Sequence, residues 1–164
     1  MAGFHTKTFI KHDDYMTPKY AWENIKQFIP QDKIIWECFY GDGKSGTYLQ
    51  ELGFNVIHEP IDFFNNDTLP EYDLICSNPP FSKCKEILTR LHQLDKPFIL
   101  IMPQVKINTS YIREWKDKGL QIIIPRKRIQ FIKNGNNVQN KCNFDCFYYC
   151  YKMNLSKNII WLTI

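Results

Sequence analysis

From Thr17 onward the chain alternates between apolar runs of strand length and stretches whose apolar residues fall three and four apart. Trp22, Ile25, Phe28 and Ile29 recur at helical spacing, with Thr17 placed to cap the helix, Pro18 at its first position and Pro30 beyond its end. "KIIWECF" reads as a buried strand, "TYLQEL" as a short helix closed by Gly53, and "FNVIHE" as the next strand. "YDLICS" is a strand, "KCKEILTRLHQL" a helix, "PFILIMP" a strand, "NTSYIREWKDKG" a helix ending at Gly119, and "LQIIIP" a strand. Beyond it, "RIQFI", "FDCFYYCYKM" and "NIIWLTI" are β-rich with no helical period between them. The alternation predicts an α/β fold: a mostly parallel central sheet with helices on both faces and an antiparallel C-terminal β hairpin. Trp22, Trp36 and Trp161 fall on predicted core faces and carry no expected function.

Composition narrows this picture only a little. The 164 residues suit one domain, 1–164, and 44% hydrophobic with 15% aromatic residues predict a packed globule rather than disorder. The net charge of +4 is compatible with a polyanionic partner without requiring one. No apolar run is long enough to cross a bilayer, and the start "MAGFHTKTFIKHDD" lacks the apolar core of a signal peptide. An intracellular location is expected, away from membranes, with the six cysteines reduced. Cys142, Cys146 and Cys150 are evenly spaced, but not as a CxxC pair and with no His nearby, so a buried aromatic strand is expected there and no metal.

The candidate chemistry begins at "ECFYGDGKSG", where Gly41, Gly43 and Gly46 stand in G-x-G-x-x-G spacing between a strand and a helix. Glycines there let the backbone turn tightly and approach a ligand, and Glu59, ending the next strand, is placed to take ribose hydroxyls. A plain tight turn is the bland alternative. A phosphate-binding P-loop needs a glycine where Cys38 stands, so Gly43-Lys44-Ser45 is not one. The loop leaves two ligands open, a nicotinamide dinucleotide or S-adenosylmethionine.

"SNPPFS" separates them. Two prolines stop the strand after "YDLIC", and a dehydrogenase has no use for Asn-Pro-Pro-Phe beside its cofactor. Methyl transfer to an aromatic amine does. Such an NH2 is a poor nucleophile because its lone pair is delocalised into the ring. The Asn78 side-chain oxygen and the Pro79 carbonyl could accept from its two hydrogens, drawing the nitrogen toward tetrahedral geometry. Pro80 would stiffen the turn, and Phe81 could stack on a base taken out of its helix. In "PRKRIQFIK", Arg126, Lys127, Arg128 and Lys133 surround Phe131, a run that could track phosphate or simply face solvent. His58 is expected to pack rather than to react.

These residues resemble the amino-methyltransferases of the Rossmann-like class I S-adenosylmethionine-dependent fold, whose N6-adenine members carry (Asp/Asn)-Pro-Pro-(Tyr/Phe). "NPPF" matches at every position, and "ECFYGDGKSG" is similar to that family's cofactor loop, with Glu37, Phe39, Gly41 and Gly43 at the matching places. "YMTPKYAWENI" resembles the Thr-Pro element that touches the cofactor's methionine end, implying Tyr15, Thr17 and Pro18 as contacts. "RIQF" with the aromatic β hairpin after it looks like the closing strands of small phage and viral adenine methyltransferases, so the cytoplasm or a viral-replication compartment is the expected location, with the nucleus left open. The resemblance implies transfer to adenine N6 in nucleic acid, DNA ahead of RNA.

The chain departs from the family between Glu59 and Asp73, where "PIDFFNNDTLPEY" is too short for the usual helix and strand, leaving Asp62 and Phe63 to supply adenine contacts. Only "SKCK", "QVKINTS" and "KNGNNVQNK" are available to read a target. Weak sequence preference, a single-stranded or RNA target, a homodimer or a partner subunit is therefore expected. The rivals are a protein-glutamine methyltransferase, which also acts on a planar amide NH2, a non-catalytic nucleic-acid-binding subunit, and a nicotinamide dehydrogenase.

Overall fold

The computed structural model describes residues 15–133 and 143–164. Strands β1 (Tyr15–Met16), β2 (Ile34–Trp36), β3 (Asn55–Ile57), β4 (Leu74–Ser77), β5 (Phe98–Pro103), β6 (Gln121–Ile124), β7 (Ile132–Lys133), β8 (Cys146–Tyr151) and β9 (Ile159–Trp161) alternate early on with helices α1 (Lys19–Glu23), α2 (Lys44–Glu51), α3 (Cys84–Leu94) and α4 (Ser110–Arg113). Among the described residues, seven strands form one sheet in the order β3-β2-β4-β5-β8-β6-β9. The first four run parallel, as expected of apolar runs buried on both faces, and every residue of β5 is buried.

The antiparallel part of the C-terminal region is β8, which enters between β5 and β6, while β9 lies parallel to β6 at the outer edge. Its aromatic sequence suits that interior position, because the buried tyrosine hydroxyls find backbone acceptors. Tyr148 donates to the Ala21 carbonyl at 2.6 Å and Tyr149 to the Pro103 carbonyl at 2.8 Å. Of "RIQFI", Ile132 alone is in a strand, the first residue of β7, which pairs with β1 in a separate two-stranded ribbon.

Side chains alternate between two cores. Ile35, Leu74, Cys76, Ile99 and Ile123 face α1 and α2, with Trp22 and Leu49. Trp36, Ile75, Leu100 and Ile122 face α3 and α4, with Leu88 and Trp115. Trp22 and Trp36 are core residues as expected, but Trp161 is 71% exposed. The reason is its strand: β9 is the sheet edge, and Trp161 stands on an uncovered side of it.

Thr17 does not cap α1. Pro18 holds the cap position without a side-chain hydrogen bond, and Thr17 is buried instead. Between β3 and β4 the described chain has only a short 3-10 turn, Asn66–Thr68, so β3 closes that side of the sheet. Cys146 and Cys150 are buried in β8, while Cys142 lies outside the described residues. No helix among the described residues is long and apolar enough to cross a membrane.

Candidate active site

Strand order reverses at β2, with β3 on one side of it and β4 on the other. In open parallel sheets, the carboxyl ends of strands at such a switch point border a natural ligand crevice. The glycine loop leaves β2 here and the Asn-Pro-Pro-Phe turn leaves β4, so topology brings together two motifs that are far apart in the chain.

The loop needs its glycines for different reasons. Gly41 and Gly43 have φ of +59° and +80°, which side-chain-bearing residues rarely adopt. Gly46 has an ordinary φ, but a Cβ there would lie 2.3 Å from the Cβ of His58. His58 packs as expected, its ring parallel to Tyr40 at 6.3 Å.

Glu37, just past β2, ties the two strand ends together. One carboxyl oxygen accepts from the Ser77 hydroxyl and from the Phe39 N–H, the latter at 3.0 Å. Burial outweighs these bonds and pushes its pKa up to about 8. Asn78 follows directly after β4. Its Nδ2 donates to the Tyr15 carbonyl at 2.9 Å, and its Oδ1 is buried with no hydrogen-bond partner among the described residues. A carbonyl can only accept, so the Tyr15 contact fixes which end of the amide is turned away.

A narrow cleft of ≈ 20 Å³ runs between the two motifs. Tyr15, Thr17, Glu37, Phe39, Gly41, Asn78 and Pro80, all singled out in the sequence, line it. Met16, Tyr40, Asp42 and Ser45 also line it and were missed, although each is adjacent to a named residue or lies inside the glycine loop. Trp22 Nε1 donates to Ser45 Oγ at 3.2 Å. The Thr17 hydroxyl is buried without a partner among the described residues. Pro18 and Gly43 flank the cleft in sequence without lining it.

Glu59, Asp62 and Phe63 do not line it either. Glu59 is exposed, and Asp62 Oδ1 accepts the Phe64 N–H at 3.0 Å in a turn. Phe63 is fully buried, with its ring 4.8 Å from Phe39 and 5.8 Å from Trp36. The buried Arg90 holds this segment through the Phe63 carbonyl at 3.4 Å and Asn66 at 2.7 Å. Phe63 is therefore a core residue, not an exposed adenine contact.

Pro79 and Pro80 are buried, and the Lys83 N–H closes the turn on the Pro80 carbonyl at 3.0 Å. Phe81 sits in an aromatic cluster, parallel to Tyr15 at 6.4 Å and edge-on to Phe131 and Phe144 at 6.1 and 5.7 Å. Phe131 is buried in that cluster and Lys133 belongs to the ribbon. Arg128 makes two bonds to Asp145, at 3.0 and 2.9 Å, which hold the Asp145 carboxyl below its usual range. Arg126 donates to the Thr163 carbonyl at 3.2 Å, and Lys127 is exposed. The basic run thus divides into a paired Arg128, a buried Phe131 and an outward Arg126–Lys127.

Fold and cleft together define an α/β protein with a ligand crevice at its switch point. The sequence matches no family profile and no curated protein. Similar solved structures include a TehB-like SAM-dependent methyltransferase from Corynebacterium glutamicum ATCC 13032 Kitasato, 12% identical, covering 79% of this chain and 84% of that one with a TM-score of 0.46. A precorrin-6y C5,15-methyltransferase from Geobacter metallireducens GS-15 is 13% identical, covering 87% and 97%, with a TM-score of 0.44. TrmN from Thermus thermophilus is 12% identical, covering 80% of this chain and 40% of that one, with a TM-score of 0.34.

Proposed function

We propose that this chain is an S-adenosylmethionine-dependent methyltransferase acting on the N6 amine of adenine in nucleic acid, DNA ahead of RNA. The observation that carries the reading is Asn78. Its nitrogen is committed to Tyr15 and its buried oxygen has no partner among the described residues, on the wall of a cleft shared with the glycine loop.

Support for the cofactor comes from the cleft's own groups. The buried Thr17 hydroxyl has no partner among the described residues, and the Glu37 carboxyl, held neutral by burial, becomes a counter-ion when a cationic amine lies beside it. A Cβ at Gly41 would stand 3.2 Å from Met16 Sδ, so glycine keeps that wall open. Tyr15 and Met16 cover the narrow cleft from the β1–β7 ribbon.

Bound there, S-adenosylmethionine supplies an electrophilic methyl group on a sulfonium. Asn78 Oδ1 and the Pro79 carbonyl accept from the two hydrogens of the adenine amine, which localises the nitrogen lone pair. The buried prolines set both acceptors before substrate arrives. Phe81, beside the turn and parallel to Tyr15 in the aromatic cluster, would offer its ring to stack on the base.

The direct test is mass spectrometry of nucleosides after incubation of the chain and cofactor with mixed DNA and RNA. N6-methyladenine is expected; no methylated nucleoside, or methyl found on protein glutamine instead, overturns the reading. Asn78→Ala is expected to lower transfer by about 100-fold or more while cofactor affinity, measured by calorimetry, stays within about twofold. Wild-type turnover in that variant would remove Asn78 from the mechanism.

A further inference from the structure

We propose that the carboxyl edge of the sheet is a binding track for single-stranded nucleic acid, with Trp161 as a base-stacking platform at its far end. The proposal rests on the nucleic-acid reading above and narrows it to a strand whose bases are unpaired.

Trp161 stands apart from the other tryptophans. Trp22, Trp36 and Trp115 are fully buried, whereas Trp161 is 71% exposed on the edge strand β9. Ile160 packs against the core on the α1–α2 side, so Ile159 and Trp161 stand on the opposite face. Its exposed indole offers a large flat face on which another ring can stack.

Register relates this indole to the active-site turn. Ser77 pairs with Leu100, Leu100 with Tyr149, Tyr149 with Ile122, and Ile122 with Ile159, giving one continuous row across five strands. Trp161 lies two residues beyond the row at one end, as Pro79 does at the other. Four strand spacings separate them, about 19 Å, or about six nucleotides stacked at 3.4 Å.

The edge between them is cationic and apolar. Lys83 follows β4, Lys106 follows β5, and Arg126 and Lys127 follow β6. None of the four is in an ion pair among the described residues, and Asp145, on the same edge, is taken by Arg128. Val105, 73% exposed, adds an apolar step beside Lys106. The Arg126 bond to the Thr163 carbonyl sets its guanidinium two residues from Trp161. Cations for the backbone interleaved with aromatic and apolar surface for the bases form the groove that single strands use. A duplex keeps its base faces stacked and offers Trp161 nothing flat. Self-pairing fits poorly, because an antiparallel β9 pair across a twofold would bring the Arg126–Lys127 end of one copy against Lys157 of the other.

Titration of the full chain with a 12-nucleotide oligothymidylate tests this, since thymidylate has no adenine amine and its binding is independent of transfer. Saturable quenching of the exposed tryptophan emission is expected. Trp161→Ala, with unchanged circular dichroism, should bind the labelled oligomer about tenfold more weakly. Arg126→Ala with Lys127→Ala should reduce the slope of log affinity against log salt by about 1.4, two phosphates at about 0.7 each. The proposal is overturned if quenching is absent, if Trp161→Ala binds unchanged, or if a duplex of equal length binds as tightly. It is also overturned if sedimentation shows a dimer that Trp161→Ala dissociates. Thymidylate binding without methylation sinks the proposed reaction alone, and methylation without Trp161 quenching sinks the track alone.

Discussion

Glu37 keeps an ionisable group where ionisation is expensive. Its carboxyl is buried against Ser77 and the Phe39 N–H, and burial raises its pKa from 4.5 to about 8. Between those values the folded chain holds a proton that the unfolded chain has released. Stability from this group is therefore fully present below about pH 4.5 and is lost as pH rises toward 8, with a total on the order of a few kcal/mol. Denaturant melts across that range should show wild type losing stability relative to Glu37→Gln, whose side chain stays neutral. Parallel curves would mean the carboxylate is already ionised in the fold. The sequence announced this residue through its place in the glycine loop, and Asn78 through the rigid Pro-Pro that follows. It could not announce the partners. Thr17 looked like a helix cap and proves to be a buried wall of the cleft, because helix α1 begins two residues later and turns the hydroxyl inward. Phe63 looked like a ligand contact because two adjacent aromatics give no indication of which one turns into the core.

At the level of elements, the strands and the longest helix were legible because apolar runs and three-four spacing are local signals. The place of β8 between β5 and β6 was not, since its pairing spans many residues and a buried aromatic strand reads alike at either position. Trp161 misled for the same reason: an edge strand with one uncovered face alternates just as an interior one does. The contact between α2 and the end of β3 was half legible. The spacing of Gly46 pointed to close approach, and the structure supplies His58 as the group approached. Gly46→Ala would drive its methyl into the His58 Cβ, which sits too near the backbone to swing aside. We expect a loss of about 2 kcal/mol or more, a fall of about 4–8 °C in melting temperature, with helix content retained at low temperature. A melting temperature within about 1 °C of wild type would mean the helix and strand are less tightly apposed than this.

For the molecule as a whole, the proposed nucleic-acid target would be chosen by the surface beyond the switch point. Reading a base edge takes side-chain donors and acceptors held at fixed positions, and each well-read base pair is worth about 1–3 kcal/mol of discrimination. The carboxyl edge described here offers instead Lys83, Lys106, Arg126 and Lys127, with Val105 and Trp161 between or beyond them. Ammonium and guanidinium groups on phosphate are blind to sequence, and stacking accepts every base. Selectivity should then come from the amine that fits Asn78, not from its neighbours. Single-stranded oligonucleotides carrying one adenine in varied surroundings should differ by less than about tenfold in kcat/KM, since stacking strength alone distinguishes flanking bases. Affinity should fall about 50-fold between 50 and 200 mM salt if four phosphates are neutralised, each contributing about 0.7 to the logarithmic slope. A preference above about 100-fold for one flank would require base-edge contacts beyond those of the described residues of this edge, and a flat salt response would mean that these four cations do not meet the strand.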